Sequence, residues 1–338
     1  MTIVDKKKLV IATRGSRLAL WQANHVMEQL RQHHVSSALT IKKTEGDRVL
    51  NRFLHEIGGK GLFIKELEES LAKGESDLAV HSLKDLPAKI SPEFSLAAIL
   101  PRHSPQDAII FHPDFFQKRQ LSKPELSKND MKQLLPMTVA TSSLRRTCLL
   151  KNLSPDIVIE PVRGNVDTRI QKLLQGKWDA LILAAASLER LSEYSYLHPC
   201  KLDIKWFTPS AAQGAIAIET TKTHVATDTF RKLTCPNTEF CTQIERGILY
   251  LLGGDCRLPY GCHAYLDGQQ VSVTTTVLDY AGRRCDHSAT FPLTNLSDHE
   301  ATKISHACFH QFQTQKGVKE LLLRIKSTEP NLDGSKLS

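Results

Sequence analysis

The chain's architecture follows from residues 9–23, LVIATRGSRLALWQA, in which a short apolar run leads directly into a helical pattern. Residues 9–12 predict a buried strand, and the helix is predicted from about Ser16 to His33. The alternation continues, with further strands predicted at 39–43, 78–80, 108–111, 138–140, 156–160 and 180–184 and helices at 61–73, 142–153 and 165–175. This rhythm indicates an α/β fold in which helices cover both faces of a parallel sheet.

The pattern changes in the last third of the chain. A helix is predicted at 237–251, followed by period-2 segments at 263–280 and 284–292 and a long helix near 297–326, which together indicate an α+β unit. Residues 214–218 resemble the earlier strands, so the chain is predicted to return to the first domain there. We predict two α/β domains, 1–102 with 208–231 and 103–207, and a smaller α+β domain at 232–338. The polar segment 112–135 is interpreted as a surface excursion.

The composition is that of a globular protein with a basic excess, since 41% of residues are hydrophobic and the net charge is +8. The longest basic run, Lys6-Lys7-Lys8, is shorter than the blocks typical of nucleic-acid tails, so no nucleic-acid partner is expected. No stretch reaches the roughly 18 apolar residues of a membrane span, and the N-terminus lacks the apolar core of a secretory signal. These features predict a cytoplasmic protein, expected to be a monomer, without a membrane partner.

The eight cysteines are too sparse for a disulfide scaffold, and cytoplasmic thiols stay reduced. The spacing of Cys256, Cys262 and His263 matches none of the usual zinc patterns, so no metal is expected. Glycines before Cys256 and Pro259 after it indicate that this thiol is presented on a loop. The neighbouring Arg257 would favour its reactive thiolate form, although a single cysteine is also compatible with inert packing.

Basic residues follow the predicted strands. In open α/β sheets ligands bind at the carboxyl ends of strands, and four of five such ends carry Arg or Lys, two of them opening helices with Ser or Thr. Arginine binds carboxylates bidentately, so the crevice is predicted to bind several carboxylates or phosphates. Any one of these residues is equally compatible with a helix cap or a surface charge. The basic residues are Arg14, Lys84, Arg145, Arg146, Arg163 and Arg169.

Asp85 is the one acid among these bases. A salt bridge or helix cap would explain it, but an acid in a cationic crevice stays ionised and can stabilise a cationic intermediate or relay protons. The segment 57–61, with three glycines around Lys60, lacks the spacing of a P-loop and is interpreted as a lid that closes over the reaction.

Seven strings together resemble the porphobilinogen deaminase (hydroxymethylbilane synthase) family in order and separation. They are ATRGSRLALWQA (12–23), GGKGLFIKELE (58–68), DLAVHSLKDLP (77–87), ATSSLRR (140–146), RGNVDTR (163–169), AQGAIAIE (212–219) and ERGILYLLGGDCRLPYG (245–261). The resemblance implies two domains like those of periplasmic binding proteins around a cleft, and a third domain bearing a cysteine. It further implies a transferase of tetrapyrrole (haem) biosynthesis that joins four porphobilinogen molecules with loss of ammonia and releases hydroxymethylbilane by hydrolysis.

The resemblance also assigns site residues. Cys256 would carry a dipyrromethane cofactor through a thioether, Asp85 would be catalytic, and Lys60 and Gln213 would serve the lid and the substrate. The carboxylates of cofactor and substrate would be held by Arg14, Ser16, Lys84, Ser143, Arg145, Arg146, Arg163 and Arg169.

Two alternatives stay open at this point. A non-catalytic protein that binds a small dicarboxylate would share the cleft, although it would need neither Cys256 nor an acid among the bases. A poorly active homologue is the other alternative, because Asp255 places an acid beside the thiol where the family commonly has glycine.

Overall fold

The computed structural model describes residues 8–43, 64–254 and 258–327. Its first elements are β1 (Leu9–Arg14), α1 (Arg17–Gln32), β2 (Ser37–Lys42), α2 (Lys65–Ala72), β3 (Leu78–Ser82), β4 (Phe94–Ile99), β5 (Asp107–Phe111), α3 (Pro113–Lys118), β6 (Glu125–Leu126), α4 (Lys128–Gln133), β7 (Met137–Ala140), α5 (Leu144–Leu153), β8 (Ile157–Glu160), α6 (Val166–Leu174), β9 (Ala180–Ala184), α7 (Ala185–Arg190) and β10 (Cys200–Leu202). They are followed by β11 (Ile216–Thr221), α8 (Thr227–Arg231), α9 (Pro236–Leu251), β12 (Tyr260–Asp267), β13 (Gln270–Leu278), β14 (Arg284–Pro292), α10 (Asp298–Thr314) and α11 (Val318–Ser327).

The strands form three sheets. The first has the order β2-β1-β3-β11-β4, the second β6-β10-β5-β9-β7-β8, and the third is the antiparallel meander β12-β13-β14. In the first two sheets β1 pairs in parallel with β2 and β3, and β7 in parallel with β8 and β9. β11 runs antiparallel to both β3 and β4, and β5 runs antiparallel to β9. The predicted α/β class with a smaller α+β unit is confirmed, although both α/β sheets are mixed instead of parallel.

The first strand–helix unit forms as the sequence predicts. Ser16 begins α1 by accepting a hydrogen bond from the backbone N–H of Ala19 at 3.3 Å, which satisfies one of the free donors of a helix start. Ala23, Val26 and Leu30 recur at helical spacing and are fully buried against β1 and β3. Helix α1 is thereby fixed over the sheet with its N-terminus at the carboxyl end of β1.

Strands β4 and β10 were not predicted from the sequence. β10 lies in the second sheet, between β6 and β5. β4 pairs with β11, a strand more than a hundred residues away in sequence. Its pairing partner is not local, so no short-range pattern marks it.

The segment 112–135 is more than a surface excursion. It contains α3, α4 and β6, and β6 pairs with β10 at the edge of the second sheet. Leu126, Met131 and Leu134 are buried in the core beneath that sheet. A few apolar residues within a polar composition therefore anchor the segment to the second core.

The third unit packs α9 and α10 against the meander. Ile244, Ile248, Ile304 and Phe312 are buried in one core with the strands. The helix predicted over 297–326 is two helices, separated at Gly317, whose φ of +89° is rare for other residues. The domain limits predicted from the sequence stay a proposal.

Candidate active site

The turn that carries Lys84 and Asp85 follows the central strand β3. A 3-10 helix spans Leu83–Asp85, and Leu83 is fully buried while its N–H donates to the carbonyl of Ala215 at 3.0 Å. Leu86 is also buried, and its N–H returns to the carbonyl of Leu83 at 3.2 Å. Buried leucines on both sides hold the turn, so the exposed Asp85 is presented from a fixed backbone.

Lys84 is half-buried beside this turn. Its ammonium donates to the side-chain oxygen of Gln213 at 3.1 Å. Burial, assisted by the charges of Arg146 and Arg145 and opposed by those of Asp85 and Asp107, lowers the pKa of Lys84 to about 8. An additional anion beside Lys84 would therefore stabilise its ammonium form.

Arg145 and Arg146 share one buried carboxylate. Nη1 of Arg145 lies 2.7 Å from Oδ2 of Asp107, and Nη2 of Arg146 lies 2.7 Å from Oδ1. Arg145 also donates to the carbonyl of Thr208 and Arg146 to that of Ile182. Burial alone would raise the pKa of Asp107, but the two guanidinium groups hold it well below its usual range.

Arg169 joins the same cluster from the first turns of α6. Its Nε donates to the carbonyl of Gly164 at 2.7 Å. Burial, followed by the charges of Arg146 and Arg163, lowers the pKa of Arg169 to about 10. Asp85 partly offsets this lowering, as it does for Lys84 and Arg146.

The structure therefore brings together six of the residues singled out in the sequence. Among the described residues, the electrostatic cluster contains five cations and two carboxylates, so positive charge is in excess. We call this set the cationic cluster; its members are Lys84, Asp85, Asp107, Arg145, Arg146, Arg163 and Arg169.

The family can now be placed. Residues 9–229, which include the whole cationic cluster, match the family described as "Porphobilinogen deaminase, dipyromethane cofactor binding domain". This chain belongs to the porphobilinogen deaminase family.

Curated relatives extend the match beyond that region. A porphobilinogen deaminase from Sulfurimonas denitrificans is 38% identical over 329 residues, which cover 96% of this chain and 99% of the relative. One from Helicobacter acinonychis is 41% identical over 269 residues, 79% of this chain and 83% of the relative. One from Thiobacillus denitrificans is 42% identical over 265 residues, 77% and 82% of the two chains.

Solved structures of binding proteins show a weaker likeness. A periplasmic binding protein of an arginine transport system from Legionella pneumophila has a TM-score of 0.38 and 14% identity, covering 68% of this chain and 92% of its own. The periplasmic VFT2 domain of BvgS from Bordetella pertussis has a TM-score of 0.37 and 16% identity, covering 66% and 84%.

The cationic cluster fits the cofactor of this porphobilinogen deaminase family member. A dipyrromethane built from two substrate molecules carries acetate and propionate groups, and the cluster offers guanidinium and ammonium donors in excess over its own carboxylates. Burial is the largest cause of the lowered pKa values of both Lys84 and Arg169, and the charges of neighbouring arginines add to it, so a ligand carboxylate would oppose both shifts. No helix in the described ranges is long and apolar enough to cross a membrane.

Among the other residues singled out in the sequence, Gln213 belongs with these contacts, because it accepts from Lys84 and its amide donates to Oδ1 of Asp107 at 3.1 Å. Ser16 and Ser143 cap α1 and α5 through the N–H groups of Ala19 and Arg146. Arg14 ends β1, opposite Lys42 of β2. Gln213 is fully buried, and Lys60 and Cys256 lie outside the described residues. The roles given to these side chains by resemblance stay predictions.

Several buried charged residues were not singled out from the sequence, among them Asp107, Glu245 and Arg246. Asp107 is the first residue of β5, directly before the apolar run 108–111, and no sequence pattern around it predicts a buried carboxylate. Glu245 did carry a signal, because it continues the stripe of Cys241 and Ile248 on α9. A charge on an apolar stripe must find a buried partner, and here that partner is Arg102, whose Nη1 lies 2.7 Å from the carboxylate.

Proposed function

We propose that this chain condenses four porphobilinogen molecules, with loss of ammonia, on a dipyrromethane joined to Cys256 by a thioether, and then releases hydroxymethylbilane by hydrolysis. Family membership supports the overall activity. The single structural observation that carries the proposal is the place of Asp85, an exposed carboxylate at the end of β3 whose charge acts on Lys84, Arg146 and Arg169.

The cations bind the acid groups of substrate and growing chain. Each added unit brings an acetate and a propionate, and burying such charge is favourable only where it is paired and hydrogen-bonded. Arg169 and Lys84 reach the cluster from different elements, so several carboxylates can be held at once. When bound, the dipyrromethane supplies the pyrrole carbon to which the first unit is joined.

Asp85 acts on the pyrrole of the incoming substrate. The carbon–nitrogen bond of the aminomethyl group breaks and ammonia leaves, so positive charge develops on that ring near its nitrogen. An ionised carboxylate held at this point stabilises the charge and can take the proton of the ring N–H.

The finer parts of the proposal concern residues and context. Arg14, Ser16, Ser143 and Gln213 are proposed to contact cofactor or substrate, and Lys60 to belong to the lid. We further propose a cytoplasmic monomer without a nucleic-acid partner. Its basic residues gather at strand ends, whereas nucleic-acid proteins display a basic stripe interleaved with aromatic residues.

Intact-protein mass spectrometry with an ammonia-release assay tests the proposal. The wild-type chain is expected to carry an adduct of two pyrrole units and to release ammonia from porphobilinogen, whereas Cys256→Ser carries no adduct. Cys262→Ser, which changes a buried thiol, serves as the control and keeps the adduct. Porphobilinogen binding without an adduct would contradict the proposal in favour of a binding protein, and an adduct without ammonia release would indicate a poorly active homologue.

A further inference from the structure

Arg246 of helix α9 contacts the backbone of the turn that carries Asp85. Nη2 of Arg246 donates to the carbonyls of Pro87 at 2.7 Å and Ala88 at 3.2 Å. Nη1 makes longer contacts to the carbonyls of Leu86 at 3.4 Å and Leu83 at 3.5 Å. One guanidinium group from the third unit therefore faces four carbonyls within six consecutive residues of the first.

The chemistry of the segment 83–88 explains why an arginine is suited to this place. Residues 86–88 follow the 3-10 helix and lie in no helix or strand, so their carbonyls need donors from elsewhere. A guanidinium group is planar and carries five N–H donors in a fixed arrangement, whereas an ammonium group is a point charge. Burial lowers the pKa of Arg246 to about 10, with Glu219 opposing, so it is protonated at neutral pH.

The helix that carries this arginine is itself held by the adjacent Glu245. The Glu245 carboxylate is fully buried and accepts from the N–H groups of Ala212 at 2.5 Å and Ala264 at 2.8 Å. It also accepts from both terminal nitrogens of Arg102, at 2.7 and 3.0 Å. Since these contacts tie α9 to three separate segments, Arg246 projects from a rigid support.

A second contact joins the same two regions. A Cβ built on Gly254 would lie 3.3 Å from Cβ of Ala88, so the chain after α9 passes directly beside the segment that Arg246 binds. Cys256 follows Gly254 by two residues in the sequence. The element that leads to the cysteine thus contacts the segment of Asp85 at two points.

We propose that Arg246 is a positioning residue for Asp85, holding the backbone of residues 83–88 against helix α9 so that the carboxylate keeps its place in the cationic cluster. The inference rests on the proposed function, since it requires that Asp85 acts in turnover. Arg246 touches neither reacting atom; its effect passes through the carbonyls of the turn.

The positioning role of Arg246 is tested by measuring kcat and KM of Arg246→Met protein that carries the two-pyrrole adduct. We expect kcat to fall roughly 10- to 100-fold, because displacement of a catalytic group by about 1 Å has effects of that size, with a much smaller change in KM. Arg246→Lys restores part of kcat. Arg231→Met, which removes an exposed arginine paired with Glu239, is the matched control and keeps wild-type kcat.

Chemical rescue separates positioning from general loss of structure. A cavity of about 470 Å³ is lined by Arg246, Ala88 and Tyr250, so a small cation can enter beside the space that Arg246→Ala would leave. Guanidinium chloride below denaturing concentrations is expected to restore kcat in Arg246→Ala, while sodium chloride at equal ionic strength does not. Unchanged kcat in Arg246→Met, or equal effects of the two salts, would overturn the inference.

A double-mutant cycle distinguishes this inference from the proposed function. If Arg246 acts through Asp85, Arg246→Met costs far less kcat in the Asp85→Asn background than in the wild-type chain. Equal cost in both backgrounds overturns the positioning role, with Asp85 still catalytic. Wild-type turnover in Asp85→Asn itself would instead overturn the proposed function.

Discussion

Arg145 and Asp107 form a buried ion pair at the centre of the cationic cluster, with Nη1 of the arginine 2.7 Å from Oδ2 of the aspartate. Arg146 occupies the other oxygen. The Asp107 carboxylate therefore holds both guanidinium groups, which lie on the first turn of α5, in position before a ligand carboxylate binds. Such preorganisation reduces the cost of ordering the site on binding.

Asp107→Asn is expected to destabilise the protein strongly. The substitution leaves two buried guanidinium groups without their counter-charge, and breaking a buried ion pair costs about 3–5 kcal/mol. Urea denaturation should show this fall in the free energy of unfolding. Asp114→Asn, at a side chain that is 91% exposed, is the control and should change it by about 0.5 kcal/mol or less. Equal stability of the two variants would contradict the structural role of Asp107.

Lys84 should titrate differently with and without the adduct. In the unloaded Cys256→Ser chain the pKa of Lys84 is expected near 8. Because only the free amine reacts, the rate of its acylation should increase as the pH is raised past 8. Carboxylates favour the ammonium form, so loading raises the pKa and moves the midpoint to higher pH. Peptide mass spectrometry after timed acylation measures the rate at each pH, and Lys84→Arg removes the labelled site. The same midpoint in both forms would mean that Lys84 binds no cofactor carboxylate.

Arg17 links the two α/β units at the surface. It lies in the first turn of α1, and its Nη1 contacts Oδ1 of Asp167 on α6 at 2.7 Å, with Glu193 as a further partner. Exposed ion pairs contribute little, so Arg17→Gln should shift the thermal midpoint by less than about 3 °C. The shift should disappear at about 1 M salt, because the Debye length there is only about 3 Å and exposed charges are screened. A large shift that persists in high salt would contradict this account.

The sequence was informative about which charged residues after strands come together in the cationic cluster. Arg145 and Arg163 each follow a short apolar run by only a few residues, and parallel strands bring such positions to one edge of the sheet. Lys84 and Asp85 were found in the same way after β3. Their convergence therefore needed only the local rhythm of strands and helices.

The missed features depend on partners far away in the chain. Asp107 meets Arg145 across 38 positions, and Arg246 meets Leu83 across 163. No local periodicity encodes such pairs. Ala212 is another feature without a local signal: its φ of +60° places the backbone in the left-handed region, which favours glycine.

We propose that Asp85 is the catalytic carboxylate of the cationic cluster. The most direct test is the rate of ammonia release from porphobilinogen by Asp85→Asn protein whose two-pyrrole adduct has been verified by mass, with Asp156→Asn, an exposed aspartate, as the control. The account predicts an intact adduct and a rate lowered roughly 100-fold or more, as expected when a group that stabilises developing charge is removed. A loaded Asp85→Asn protein that releases ammonia at the wild-type rate would contradict it.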